Sequence, residues 1–253
     1  MKFLRGYIHD NGRRLARHAG FAAERNFLMI KAVFTDFYGT LVHEDGAVIE
    51  KICDEIFSTG NAESKSQIGS YWWQEFQNSF MNSFGDNFKT QRELEHLSLV
   101  KTTEKFRSPA NIEKLSEMMF EHWVKPPVFE DTDRFFEMCP VPIYIVSNID
   151  RADILAAVEY HSFKPSGIFT SEDAKAYKPR KELFELALKA VGISADEAVH
   201  IGDSLSSDVG GATSVGINAV WLNRNNREVP DGIVSVRNLT ELFDTPFFDG
   251  FAN

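Results

Sequence analysis

The stretch Lys31–Val42, KAVFTDFYGTLV, decides the fold. Three apolar residues, Ala32, Val33 and Phe34, lead into a lone carboxylate at Asp36, and the chain then turns through Gly39 into Thr40. An acid at the end of an apolar run marks the carboxyl end of a buried strand, which is where ligands bind in a parallel α/β sheet. The run recurs as VPIYIVSN (141–148), SGIFTS (166–171), AVHIGD (198–203) and INAVWLN (217–223), separated by helical stretches. Short apolar runs alternating with helices predict an α/β fold, a doubly wound parallel sheet covered on both faces. KELFELALKAVG shows what the connectors are: Leu183, Phe184, Leu186, Ala187 and Val191 form an apolar face, and Gly192 sits where a helix C-cap belongs.

One segment breaks the alternation. Residues 45–125 hold no convincing strand and end at the stiff pair Pro126 and Pro127, so they are expected to be a helical insert between the first two core strands. Residues 29–44 and 126–253 would form the core. Within the insert, Trp72, Trp73, Phe76, Phe80, Phe84 and Phe88 recur mostly at i+4, which predicts an aromatic stripe packed inside the insert itself.

Composition narrows the class. The chain has 253 residues, is 43% hydrophobic and carries a formal charge of −10. A basic leader at residues 1–28 contributes a formal +4, leaving −14 for the rest, and an acidic body disfavours nucleic acid as a partner. The leader lacks the apolar core of a secretory signal and reads as an extension upstream of a natural start at Met29. No apolar run reaches the ~18 residues of a membrane span. Cys53 and Cys139 form no CxxC pair and fit a reducing, cytoplasmic setting. A monomer or weak homodimer acting on a small molecule is expected.

Several strand ends carry chemistry. Asp36 follows the first run and is a candidate nucleophile. Ser147 and Asn148 end the second, with backbone N–H groups at the next helix start suited to a phosphoryl oxygen. Lys178 follows the third and would neutralise nucleophile and substrate. Asp203 ends the fourth, and with Asp208 and Asp36 it offers the oxygen donors that suit Mg²⁺. Singly, each of these residues also reads as a cap or a turn.

The ordered set DFYGTL, IVSN, KP at Lys178–Pro179 and GDSLSSDVGGA resembles the four motifs of the haloacid-dehalogenase-like hydrolases, from Met29 to about residue 240. The resemblance implies a Rossmann-like core with a mobile helical cap, Asp36 as nucleophile, and Thr40, Ser147, Asn148 and Lys178 around the phosphate. It also implies Mg²⁺ held by Asp36, the carbonyl of Tyr38 and Asp203, with Asp208 in support. The expected activity is a phosphatase working on a small phosphorylated compound through an aspartyl-phosphate.

One position departs from this pattern. Phosphatases of the family carry a second Asp two residues after the nucleophile, and Tyr38 stands there. That form resembles the 2-haloacid dehalogenases, which use an aspartyl ester without metal, but no arginine lies between Asp36 and Arg92 to bind a halide. Phosphonate-cleaving relatives use a cap lysine to form a Schiff base; by position alone Lys51 and Lys65 are candidates, and both read first as solvated surface lysines. His43, an alternative proton donor, reads first as an exposed loop histidine. A catalytically weak module binding a phosphorylated ligand or a protein is a third reading.

Overall fold

The computed structural model describes residues 29–44 and 46–251. The basic leader at 1–28 lies outside the described residues. Among the described residues six parallel strands form one sheet: β1 Ala32–Thr35, β2 Ile143–Ser147, β3 Gly167–Thr170, β4 Ala198–Gly202, β5 Asn218–Leu222 and β6 Val234–Val236. Their order is β3-β2-β1-β4-β5-β6, so the chain reverses direction across the sheet between β1 and β4. A reversal of this kind opens a crevice beyond the strand ends.

The central strand shows why the sequence alternates as it does. All four residues of β1 are buried. Val33 joins a core layer with Ile145, Ile201 and Val220, whereas Ala32 and Phe34 point to the other face, against Leu183, Phe184 and Ala187. A strand covered on both sides gains from apolar residues at every position. The second layer comes from the connector helix at Lys181–Val191, which ends on Gly192 at φ 77°, a left-handed conformation that costs glycine little. The doubly wound arrangement is therefore as expected. Strand β6 is not legible in the sequence, because Val234–Val236 is only three residues long and one of them is serine.

Between β1 and β2 the described residues make five α-helices, four in the insert, α1 Ala47–Thr59, α2 Lys65–Met81, α3 Gln91–Lys105 and α4 Ile112–Val124, and a short α5 Thr132–Met138 that leads into β2. The starts of α2, α3 and α4 are set by side chains that satisfy orphan backbone donors: Ser64 accepts from Gln67 N, Thr90 forms a reciprocal capping box with Glu93, and Asn111 accepts from Lys114 N. No helix among the described residues is long and apolar enough to cross a membrane.

The aromatic stripe departs from expectation, since Phe84 and Phe88 lie beyond the end of α2, on either side of a short turn at Gly85–Asn87. Trp72 is buried inside the insert, with its indole N–H on Ser98 Oγ at 3.0 Å. Phe80 and Phe88 instead pack on Tyr177 of the core, with ring centroids 4.2 and 5.1 Å away. Helical spacing marks an apolar face but does not say which body covers it.

The loops beyond β1, β5 and β6 are joined through Asp131. Its carboxylate accepts both terminal nitrogens of Arg224 at 3.0 and 2.9 Å and the backbone N–H of Leu239 at 2.7 Å, while Arg224 also reaches Thr40 O at 2.9 Å. Asp131→Ala removes three charge-assisted bonds and should lower the unfolding free energy by about 2–4 kcal/mol. Urea denaturation checks this, and a loss below about 0.5 kcal/mol, the range of ordinary surface changes, would contradict it.

Candidate active site

The carboxyl edge of the sheet brings the strand-end residues together. Asp36 follows β1, Ser147 closes β2, Lys178 follows β3, and Asp203 follows β4. Their burial is deep: Ser147 and Lys178 are each 1% exposed, Asp36 8% and Asp203 9%. Ser147 Oγ donates to Asp36 Oδ1 at 3.0 Å, and Lys178 Nζ donates to the same oxygen at 2.8 Å. The ammonium also donates to Val146 O at 2.8 Å and Asp208 Oδ1 at 2.7 Å. All three of its protons thus have acceptors, as a buried charge requires.

Asp208 is the most committed acid. Its Oδ1 accepts from Lys178 Nζ and from His200 Nε2 at 3.0 Å, and its Oδ2 accepts from Ser204 N at 3.0 Å. Burial opposes its charge, but Lys178 and His200 outweigh burial and hold the carboxyl well below the usual carboxylate range. Burial likewise opposes the charge of Lys178, and the two carboxylates raise it above an ordinary lysine. Asp36 goes the other way. Burial raises it, Lys178 offsets part of that, and the charge on Asp208 raises it further. One cation is shared between two acids, and Asp208, with extra donors of its own, keeps the larger share.

Two glycines make this geometry possible. A Cβ on Gly202 would stand 2.2 Å from Asp208 Cγ, and one on Gly39, at φ 84°, would stand 2.8 Å from Asp203 Cγ. Both acids therefore lie directly on main chain where any side chain would displace them. Asp36, Asp203 and Asp208 each offer an oxygen, and these atoms lie within 4.8 Å of one another. Hard oxygen donors so grouped suit a small dication. Thr40 Oγ1, four residues after Asp36, is buried and has no hydrogen-bond partner among the described residues.

Other expected site residues are placed differently. The Asn148 side chain grips the main chain of Lys178, accepting from Lys178 N at 2.7 Å and donating to Lys178 O at 3.1 Å, so the amide positions the lysine instead of facing a phosphate. Tyr38 is buried, and its hydroxyl donates to Trp123 O at the end of α4 at 2.6 Å. Burial, with Asp153, Asp36 and Asp150 adding to it, drives that phenol well above its ordinary value, so it keeps its proton. His43 is exposed against Phe129, Lys51 lies in a surface groove between α1 and α4, and Lys65 pairs with Asp54. Arg92 makes a bidentate pair with the buried Asp153 at 2.8 and 2.5 Å.

Sequence reasoning passed over His200, Asp150 and Tyr177. His200 interrupts the apolar run AVHIG, and a polar side chain in a strand buried on both faces needs a partner, which was the available signal. Asp150 accepts Gln91 N at 2.7 Å and Arg92 N at 2.9 Å, so a core carboxylate satisfies the open N-terminus of α3 in the insert.

A model of the haloacid dehalogenase-like hydrolases matches residues 30–216, and the chain belongs to that family. It is 27% identical over 213 residues to haloacid dehalogenase-like hydrolase domain-containing protein 3 of Danio rerio, covering 78% of this chain and 86% of that one. It is 28% identical over 146 residues to a phosphoserine phosphatase of Thermus thermophilus, covering 54% of this chain and 58% of the relative. The fold is shared with the L-2-haloacid dehalogenase of Xanthobacter autotrophicus at a TM-score of 0.67, with 18% identity over 85% of this chain and 97% of that one.

His200 gives a pH test. It is fully buried, and burial depresses its value below the ordinary 6.5, with Asp208 only partly restoring it. A histidine with a lowered folded value binds fewer protons folded than unfolded, so its contribution is lost as pH falls below 6.5. In urea unfolding between pH 7 and 5, the wild type should lose stability more steeply than His200→Gln. Parallel pH curves for the two proteins would contradict a neutral buried His200.

Proposed function

We propose that the chain is a Mg²⁺-dependent phosphohydrolase that works through an aspartyl-phosphate on Asp36, with the helical insert acting as its cap. The observation that carries this reading is the grouping of Asp36, Asp203 and Asp208, whose oxygens lie within 4.8 Å of one another, with Lys178 bridging Asp36 and Asp208. Carboxylates so grouped repel an anionic substrate, and a dication among them offsets that repulsion. The donor set fits Mg²⁺, which Asp36, Asp203 and the carbonyl of Tyr38 would hold, with Asp208 supporting the site through Lys178. When bound, the ion offsets the repulsion between nucleophile and phosphate.

The protein's own groups have assignable parts. Lys178 and Ser147 hold the Asp36 carboxylate and, in this reading, would also donate to phosphoryl oxygens brought against it. Thr40 and the N–H groups after Ser147 complete the cradle. Attack by an Asp36 oxygen forms a bond to phosphorus while the bond to the leaving oxygen breaks and carries away its electron pair. Water then cleaves the acyl phosphate, releasing phosphate and restoring the carboxylate.

Tyr38 sets the substrate class. Its proton is committed to Trp123 O, and the phenol is too weak an acid to protonate an alkoxide in the manner of a carboxylic acid. Leaving groups that depart unprotonated fit this site: acyl phosphates, aryl phosphates and phosphoanhydrides. Tyr38 also favours a second reading, a 2-haloacid dehalogenase, since halide needs no proton. Against it stands Arg92, the first arginine after Asp36, which is paired with Asp153. A catalytically weak binding module is the third outcome.

A panel of acyl, aryl and alkyl phosphates and 2-haloacids, with and without Mg²⁺, separates these readings. Phosphate release only with Mg²⁺ is expected, with aryl ahead of alkyl phosphates by about a hundredfold or more, and Asp36→Asn should lower turnover by about a thousandfold. Halide release without metal would favour the dehalogenase, and no release of either would favour the binding module.

A further inference from the structure

The segment carrying Lys178 is held from two sides. From the core, Asn148 grips both the N–H and the carbonyl of Lys178. From the insert, Phe80 and Phe88 enclose the ring of Tyr177, which is 2% exposed, and the Tyr177 hydroxyl donates to Lys89 O at 2.8 Å. The same stretch of the insert also makes a main-chain contact, with Gly85 N donating to Lys175 O at 2.8 Å and Phe84 bridging to Ala176. Arg180 lies over the Phe84 ring at 3.8 Å.

We infer that Tyr177 is a positioning residue through which the seated insert fixes Lys178 against Asp36. The chemistry rests on the phosphohydrolase reading above. The two α-carbons are only ~3.8 Å apart across a planar peptide, so a shift at Tyr177 is passed to its neighbour. The ammonium must reach Asp36, Asp208 and Val146 O together, and a misplacement of ~1 Å can cost about a hundredfold in rate. Without Phe80 and Phe88, Tyr177 loses its ring contacts with the insert, and the main chain of Lys178 is left to the Asn148 amide. Enclosure of substrate and placement of Lys178 thereby become one event, and Lys178 is fully set only when the insert is down.

The test uses the full chain and three variants: Tyr177→Ala, Phe80→Ala on the insert side, and Tyr177→Phe, which keeps the ring. One readout is turnover of an aryl phosphate with Mg²⁺. The other is acylation of Lys178 by an N-hydroxysuccinimide ester, read by peptide mass spectrometry against the exposed Lys189. For Tyr177→Ala, kcat should fall about a hundredfold with KM changed less than about threefold. Tyr177→Phe should stay within about threefold of wild type, having lost one hydrogen bond. Lys178 acylation, low in the wild type, should rise at least about tenfold in both alanine variants and not in Tyr177→Phe. Unchanged protection of Lys178 in folded alanine variants overturns the inference, as does lost protection with wild-type kcat. If Tyr177→Ala does not fold, Phe80→Ala decides alone. If the wild type releases no phosphate, the phosphohydrolase reading fails and the acylation pattern still decides the positioning role.

Discussion

The ammonium of Lys178 is the point on which the rest of the site depends. It is buried to 1% exposure, and its three donors end on Asp36, Asp208 and Val146 O. Such a charge is tolerated only because every proton is matched, and removing one partner of a buried pair costs about 3–5 kcal/mol. Its neighbours follow from that requirement. Gly202 lets Asp208 lie against the strand, His200 and Ser204 N fix that carboxylate, and Asn148 holds the lysine backbone. Asp36 receives what remains of the positive charge, which is why it is the acid proposed to react.

The insert adds a second layer to this arrangement. It meets the core through polar contacts that each satisfy a group otherwise left open: Asp150 at the N-terminus of α3, Asp153 on Arg92, and Tyr38 on the carbonyl of Trp123. Tyr38 stands where a family phosphatase has its acid/base, and here the side chain reaches across to the insert. One position thereby makes a contact between insert and core, and on the proposed phosphohydrolase reading this would link the seating of the helices to the range of leaving groups the site accepts.

Much of this was legible in the sequence, for a physical reason. Asp36, Ser147 and Asp203 each end or follow an apolar run, and the end of a parallel strand is the one place where a buried run can present a polar side chain to a crevice. Asp208 and Lys178 were readable only as members of an ordered set. The partners of those residues were not readable, because they are set by tertiary distance: Tyr38 meets a carbonyl 85 positions away, and Asn148 meets a main chain 30 positions away. An amide or a phenol gives no sign in sequence of which of its many acceptors it will find. The aromatic stripe was visible as a face, but its division between the insert and Tyr177 depended on how the two bodies pack. Strand β6 was missed because three residues carry too little periodicity to register.

The claim that Asp36 is the reacting acid is tested most directly by trapping its adduct. The protein is mixed with an acyl phosphate and Mg²⁺, quenched in acid during turnover and digested, and the peptide containing Asp36 is sequenced by mass spectrometry. The account predicts one phosphoryl group on Asp36, absent when Mg²⁺ is withheld. Phosphate release with an unmodified Asp36 at every quench time, or an ester on Asp36 formed from a 2-haloacid without metal, would contradict it.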